Sequence, residues 1–181
     1  MLFISIPKSA ATAFTESFAK AQGFRRSTEV MTMGTAPEGF RELALIHKSC
    51  RQFDDQLPNA LTADTIHHLH IPPTMKNKRI LSAVKKVLIL RDPDEVVEAY
   101  FREIKKGFRR VPTSFNGVGT LNEFKLRAKQ IGLLEELWRF YHEWACESDN
   151  VCKINYVDII AGGGGARYAS TSICQSLCNI N

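Results

Sequence analysis

Two short apolar runs, each stopped by a proline turn and followed by helix-period residues, set the frame for this chain. Leu2-Phe3-Ile4-Ser5-Ile6 ends at Pro7, and Val87-Leu88-Ile89-Leu90 ends at Arg91-Asp92-Pro93. Runs of this length, rich in branched apolar residues, read as buried strands. After the first, Ala13, Phe14, Phe18 and Ala21 recur at helical spacing as far as Gly23. After the second, Val96, Val97, Tyr100, Phe101 and Ile104 line one helical face, with Asp92 or Asp94 as cap and Gly107 as stop. Thr65–Ile71, closed by Pro72-Pro73, and Val151–Tyr156 read as two further strands. Leu121–Cys146 reads as a long amphipathic helical region and Phe40–Lys48 as a short helix. The rest is loop: most of Arg25–Pro58, then Arg109–Thr120, then the Gly162–Gly165 break before a last short helix. Strands alternating with helices predict a three-layer α/β/α fold with a central, mainly parallel sheet. At 181 residues, a single domain over 1–181 is expected.

Lys and Arg outnumber Asp and Glu by 24 to 19, giving a formal charge of +5 and a pI near 9.0. That is a mild bias towards anionic ligands. There is no dense basic run and no recognisable binding module, so nucleic acid is not an expected partner. No segment approaches the roughly 18 apolar residues that cross a bilayer, and Lys8 and Ser9 interrupt the N-terminal apolar run. The expectation is a cytoplasmic protein without membrane partners. The five cysteines (Cys50, Cys146, Cys152, Cys174, Cys178) are odd in number and irregular in spacing, which argues against a disulfide framework. Cys174 and Cys178 lie one helical turn apart, but no second Cys/His pair has matching spacing, and no metal is expected.

The residues with chemistry begin where the first run ends. Pro7-Lys8-Ser9-Ala10-Ala11-Thr12-Ala13 turns the chain from a strand into a helix through small side chains. Small side chains let the backbone approach a ligand, and a helix start offers unpaired N–H groups to an anion. Lys8 adds a full charge, and Ser9 and Thr12 add hydroxyl donors. The bland alternative is an ordinary strand–helix turn with Ser9 as its cap. The G-x-x-x-x-G-K-S/T pattern of common NTPases is absent.

A lysine that precedes the small residues resembles the 5′-phosphosulfate loop of the sulfotransferases, P-K-S-G-T-T-W after a first strand. Three further segments resemble that family in the same order along the chain. Thr65-Ile66-His67-His68-Leu69-His70-Ile71-Pro72 is similar to its T-H-x-P strand end, and the H-x-P spacing selects His70. Lys86 to Tyr100 resembles its 3′-phosphate motif, with Arg91 as the phosphate-binding arginine. Asn155-Tyr156-Val157-Asp158-Ile159 resembles its Y-E-D-L, with Tyr156 near the adenine.

The resemblance covers Leu2 to Ile160. It implies a P-loop-NTPase-like sulfotransferase fold and transfer of a sulfuryl group from 3′-phosphoadenosine 5′-phosphosulfate. The acceptor would be a hydroxyl or amine on a small molecule or glycan. Lys8 and His70 would be catalytic. Lys8, Ser9, Ala10, Ala11, Thr12, Ala13, Arg91 and Tyr156 would hold the donor.

The chain departs from the family pattern at several points. Ala10 and Ala11 replace glycine and threonine, Ala13 replaces tryptophan, and Ala99 stands where a serine is expected. The later R-K-G-x-x-G-D-W segment has no counterpart, so the domain is expected to lack it, with Arg167 or the glycine run as substitutes. Other readings stay open: His68 and His70 as a metal pair, a nucleotide-binding relative without catalysis, and an ATP-dependent small-molecule kinase. Lys105, Lys106, Arg109 and Arg110 read either as an attractor for an acidic acceptor or as a solvated helix end.

Overall fold

Every strand of the central sheet runs in the same direction. The computed structural model describes residues 1–27, 36–47, 50, 61–62, 64–107 and 112–161. Its five strands are β1 (Leu2–Ser5), β2 (Arg25–Arg26), β3 (Thr65–Leu69), β4 (Lys86–Leu90) and β5 (Val151–Asn155), ordered β2-β3-β1-β4-β5. In the centre, Ile4 is in register with Leu69 on one side and Leu88 on the other. β1 and β4 are buried along their whole length, which is why they read as continuous apolar runs.

Seven helices are described: α1 (Ala11–Gln22), α2 (Arg41–Ile46), α3 (Met75–Ile80), α4 (Pro93–Lys105), α5 (Leu121–Gln130), α6 (Leu133–Ala145) and α7 (Tyr156–Ala161). They cover both faces of the sheet. Phe3, Val87, Ile89 and Ile154 pack against Phe14 and Phe18 of α1 and Ile159 of α7. On the opposite face, Leu2, Ile4, Leu88 and Leu90 pack against α4 and α6 through Val96, Tyr100, Phe140 and Trp144. Trp144 is fully buried, and its indole N–H donates to the Ile71 carbonyl at 2.8 Å.

The chain caps α4 as its sequence suggests. Asp92 accepts from the Asp94 and Glu95 backbone N–H groups at 2.9 and 3.2 Å, and Pro93 takes the first helical position. Elsewhere the structure corrects the expected boundaries. The Leu121–Cys146 region is two helices, because Gly132 adopts φ 83 and turns the chain between α5 and α6. The strand expected to reach Tyr156 stops at Asn155, and Tyr156 opens α7. The strand expected to reach Ile71 stops at Leu69, just before two prolines that lack the N–H a ladder needs. Arg25–Arg26, expected in a loop, forms the short edge strand β2. Gly162–Gly165, the last short helix, Arg167, Arg109, Arg110, Cys174, Cys178 and much of Arg25–Pro58 lie outside the described residues.

This topology places a crevice. The connection from β1 crosses to β2 on one side of the sheet, and the connection from β4 leads to β5 on the other. Where neighbouring parallel strands send their connections apart, the loops at their carboxyl ends open a binding site. Those loops carry Lys8 and Arg91. No described helix is long and apolar enough to cross a membrane.

Candidate functional site

The loop between β1 and α1 has an unusual backbone. Lys8 and Ala10 both have positive φ, 65° and 56°, although neither is glycine. Such conformations cost energy in L residues and persist where the surroundings hold them. Arg91 supplies part of that hold, donating from Nη1 to the Lys8 carbonyl at 2.6 Å. Ala10 is the residue before α1 and offers no side-chain cap, and the first turn of α1 contains no acid. Ser9 does not cap the helix either. It is 1% exposed, and its hydroxyl has no hydrogen-bond partner among the described residues. The ordinary capped turn is therefore not what forms here.

A cleft of about 470 Å³ opens at this loop. Of the residues read from the sequence, Lys8, Ser9, Ala10, Ala11, Thr12, His70, Arg91 and Tyr156 all line it. Ala13 does not. It is exposed on α1, beyond the turn. Ala99 lines the cleft with a methyl group.

The two cations of the cleft are already paired. Lys8 Nζ lies 2.5 and 2.6 Å from the two carboxylate oxygens of Glu103 and 5.6 Å from the centre of the Tyr100 ring. Arg91 Nε donates to Glu95 at 3.0 Å, and the guanidinium sits 3.9 Å from the centre of the Tyr156 ring. Cation–aromatic stacking of this kind suits a planar guanidinium and fixes its orientation. Arg91 and Tyr156 also line a second recess of about 310 Å³, together with Asp92, Glu95 and Tyr141.

The histidines are organised by Ser5. Its hydroxyl lies 2.8 Å from His68 Nε2 and 3.0 Å from His70 Nδ1, and its carbonyl oxygen lies 2.9 Å from the same His70 Nδ1. A carbonyl oxygen only accepts, so His70 Nδ1 carries the proton and the lone pair of the neutral ring falls on Nε2. His68 is pushed down to about 3 by burial, with Arg26, and His70 when it is protonated, adding to the effect. It is therefore neutral near pH 7, and its Nε2 can accept from the Ser5 hydroxyl. His47, at the end of α2, meets the His70 ring edge to face with centroids 4.3 Å apart. Among the described residues, no group of three or more His, Cys, Asp or Glu side chains is arranged to hold a metal ion.

Sequence reasoning missed Glu103, His47 and the role of Ser5. Ser5 left a signal, being the one polar residue inside the first apolar run. Glu103 left a weaker one, standing one helical turn after Ala99 on a face directed at the cleft. Compared with family models and with curated proteins, the chain matches none of them.

Proposed function

We propose that the chain is a sulfotransferase of the P-loop-NTPase-like type, moving a sulfuryl group from 3′-phosphoadenosine 5′-phosphosulfate to a hydroxyl or amine acceptor. The observation that carries this reading is convergence. Lys8–Thr12, His70, Arg91 and Tyr156 come from four separate segments that resemble one family, and all of them line one cleft. The residues also suit an anion. The Ser9 hydroxyl is buried without a partner, the first turn of α1 is uncapped, and Lys8 stands beside them. A mobile acceptor, small molecule or glycan, and a cytoplasmic location belong to the same proposal.

When bound, the nucleotide supplies the sulfuryl group and the phosphate that leaves. Lys8, the Ser9 hydroxyl and the N–H groups opening α1 hold that phosphate end and stabilise charge growing on it. His70 takes the acceptor proton at Nε2, with its tautomer set by the Ser5 carbonyl. Arg91 and Tyr156 hold the other end of the nucleotide, and the bond from Arg91 to Lys8 keeps the two ends in register.

Calorimetry with 3′-phosphoadenosine 5′-phosphate and a radiolabelled sulfate-transfer assay test this directly. Saturable binding and transfer to at least one hydroxyl, amine or glycan acceptor are expected. No binding of the desulfated nucleotide would sink the reading. Binding without transfer would favour a nucleotide-binding chain that has lost catalysis. That second reading draws on Ala99, whose methyl lines the cleft where the family carries a hydroxyl.

A further inference from the structure

The contact between Lys8 and Glu103 has a consequence for what the cleft admits. Both carboxylate oxygens of Glu103 engage the Lys8 ammonium, at 2.5 and 2.6 Å. The pair is partly buried, with the two side chains 15% and 31% exposed. Water therefore screens it less than it would a surface pair. Both residues line the cleft, so the carboxylate stands where it competes with any incoming anion for Lys8.

We propose that Glu103 is a resident counter-anion, exchanged for the phosphate or sulfate group of the ligand when the cleft fills. The proposal shares with the reading above only the assumption that Lys8 anchors the ligand. Glu103 carries one negative charge and leaves the Ser9 hydroxyl without a partner. A phosphate group brings more charge and more acceptor oxygens, so it can engage Lys8, Ser9 and the N–H groups opening α1 together. Glu103 thus sets a threshold. It disfavours singly charged anions, against which it competes on equal terms, and yields to multiply charged ones. The exchange also takes its carboxylate off the Lys8 ammonium when ligand arrives.

Pyrophosphate, which contains no nucleoside, is the probe that isolates this step. The native chain and the Glu103→Gln and Lys8→Met variants are titrated with it calorimetrically at low ionic strength. Glu103→Gln should bind pyrophosphate at least tenfold more tightly than the native chain, and Lys8→Met should erase that gain when the two changes are combined. Equal or weaker binding by a Glu103→Gln chain with a native circular dichroism spectrum would overturn the proposal.

Should that variant fail to fold, the native chain decides. The side-chain carboxyl carbon resonance of Glu103, followed by NMR, should move along the same isotherm as the heat. A resonance that stays still while pyrophosphate saturates would overturn the exchange. Pyrophosphate binding by exchange, with no binding of the desulfated nucleotide, would remove the donor assignment and support the exchange. Nucleotide binding with an unmoved Glu103 resonance would do the reverse.

Discussion

Arg91 donates to the carbonyl oxygen of Lys8 at 2.6 Å across 83 positions of sequence. The bond joins the loop after β1 to the loop after β4. It comes from a side chain only 9% exposed, and it fixes a residue whose φ of 65° needs outside support. Because the same guanidinium stacks on Tyr156, it connects the carboxyl ends of β1, β4 and β5. Arg91 is therefore part of the scaffold of the cleft as well as part of its lining.

Replacing Arg91 with alanine should consequently damage stability and binding together. The lost charged hydrogen bonds predict a drop of about 2–3 kcal/mol in urea denaturation. Affinity for the desulfated nucleotide should fall at least tenfold in calorimetry. Arg91→Lys should recover little of either, because an ammonium cannot reach Lys8 and Glu95 with a planar fork. Native stability alongside native affinity in Arg91→Ala would show that the link holds nothing.

His70 should separate turnover from binding. Because the Ser5 carbonyl holds the proton at Nδ1, the basic nitrogen of its ring is Nε2. His70→Gln should lower sulfate transfer by about 10²–10⁴, the range for a lost general base, with donor affinity changed less than threefold. Lys8→Ala should lower turnover as well, while also weakening the donor. If His70→Gln transferred sulfate at the native rate, the base would have to be sought elsewhere in the cleft.

His68 predicts an acid-sensitive fold. Its folded value of about 3 lies below the ordinary 6.5, so between those two values the unfolded chain binds the proton that the folded chain refuses. Stability is complete above pH 6.5 and declines as the pH falls through the window. From pH 7 to pH 5 the native chain should lose about 2 kcal/mol more than a His68→Gln variant, measured by urea denaturation. Parallel pH profiles in the two chains would mean that His68 titrates normally.

Much of the fold was legible because β1 and β4 are buried along their length and are apolar but for Ser5 and Lys86 at their ends. The Asp92-Pro93 cap was legible too, since it is local. The two-residue edge strand β2 was not. Its Arg25-Arg26 sequence carries no periodic signal, and only pairing with Thr65 and Ile66 makes it a strand. Gly132 was read through because the apolar spacing on either side continues as if in one helix. At the site, single residues could be assigned by motif, but their partners could not. Glu103 reads as a solvated acid on an amphipathic helix until folding brings Lys8 against it from 95 positions away. Lys86 shows the converse. It opens the strand that delivers Arg91 and carries an ammonium like that of Lys8. Yet it is 2% exposed and spends its ammonium on the carbonyls of Leu81, Val84 and Asp149, at the strand end away from the cleft.

Ser9 offers the sharpest separation of stability from function. A buried hydroxyl without a partner is destabilising, and removing it relieves the desolvation cost of a polar group, about 1 kcal/mol. Ser9→Ala should therefore be as stable as the native chain or more so in urea denaturation. In an ordinary capped turn the same change would instead cost about 1 kcal/mol. Binding should move the opposite way, with pyrophosphate and the desulfated nucleotide both weakened severalfold, because the hydroxyl finds its partner only in the ligand. A more stable protein with a weaker grip is the signature of a group kept for binding. A less stable Ser9→Ala chain with unchanged affinity would return the loop to a structural turn and remove the anion from the argument.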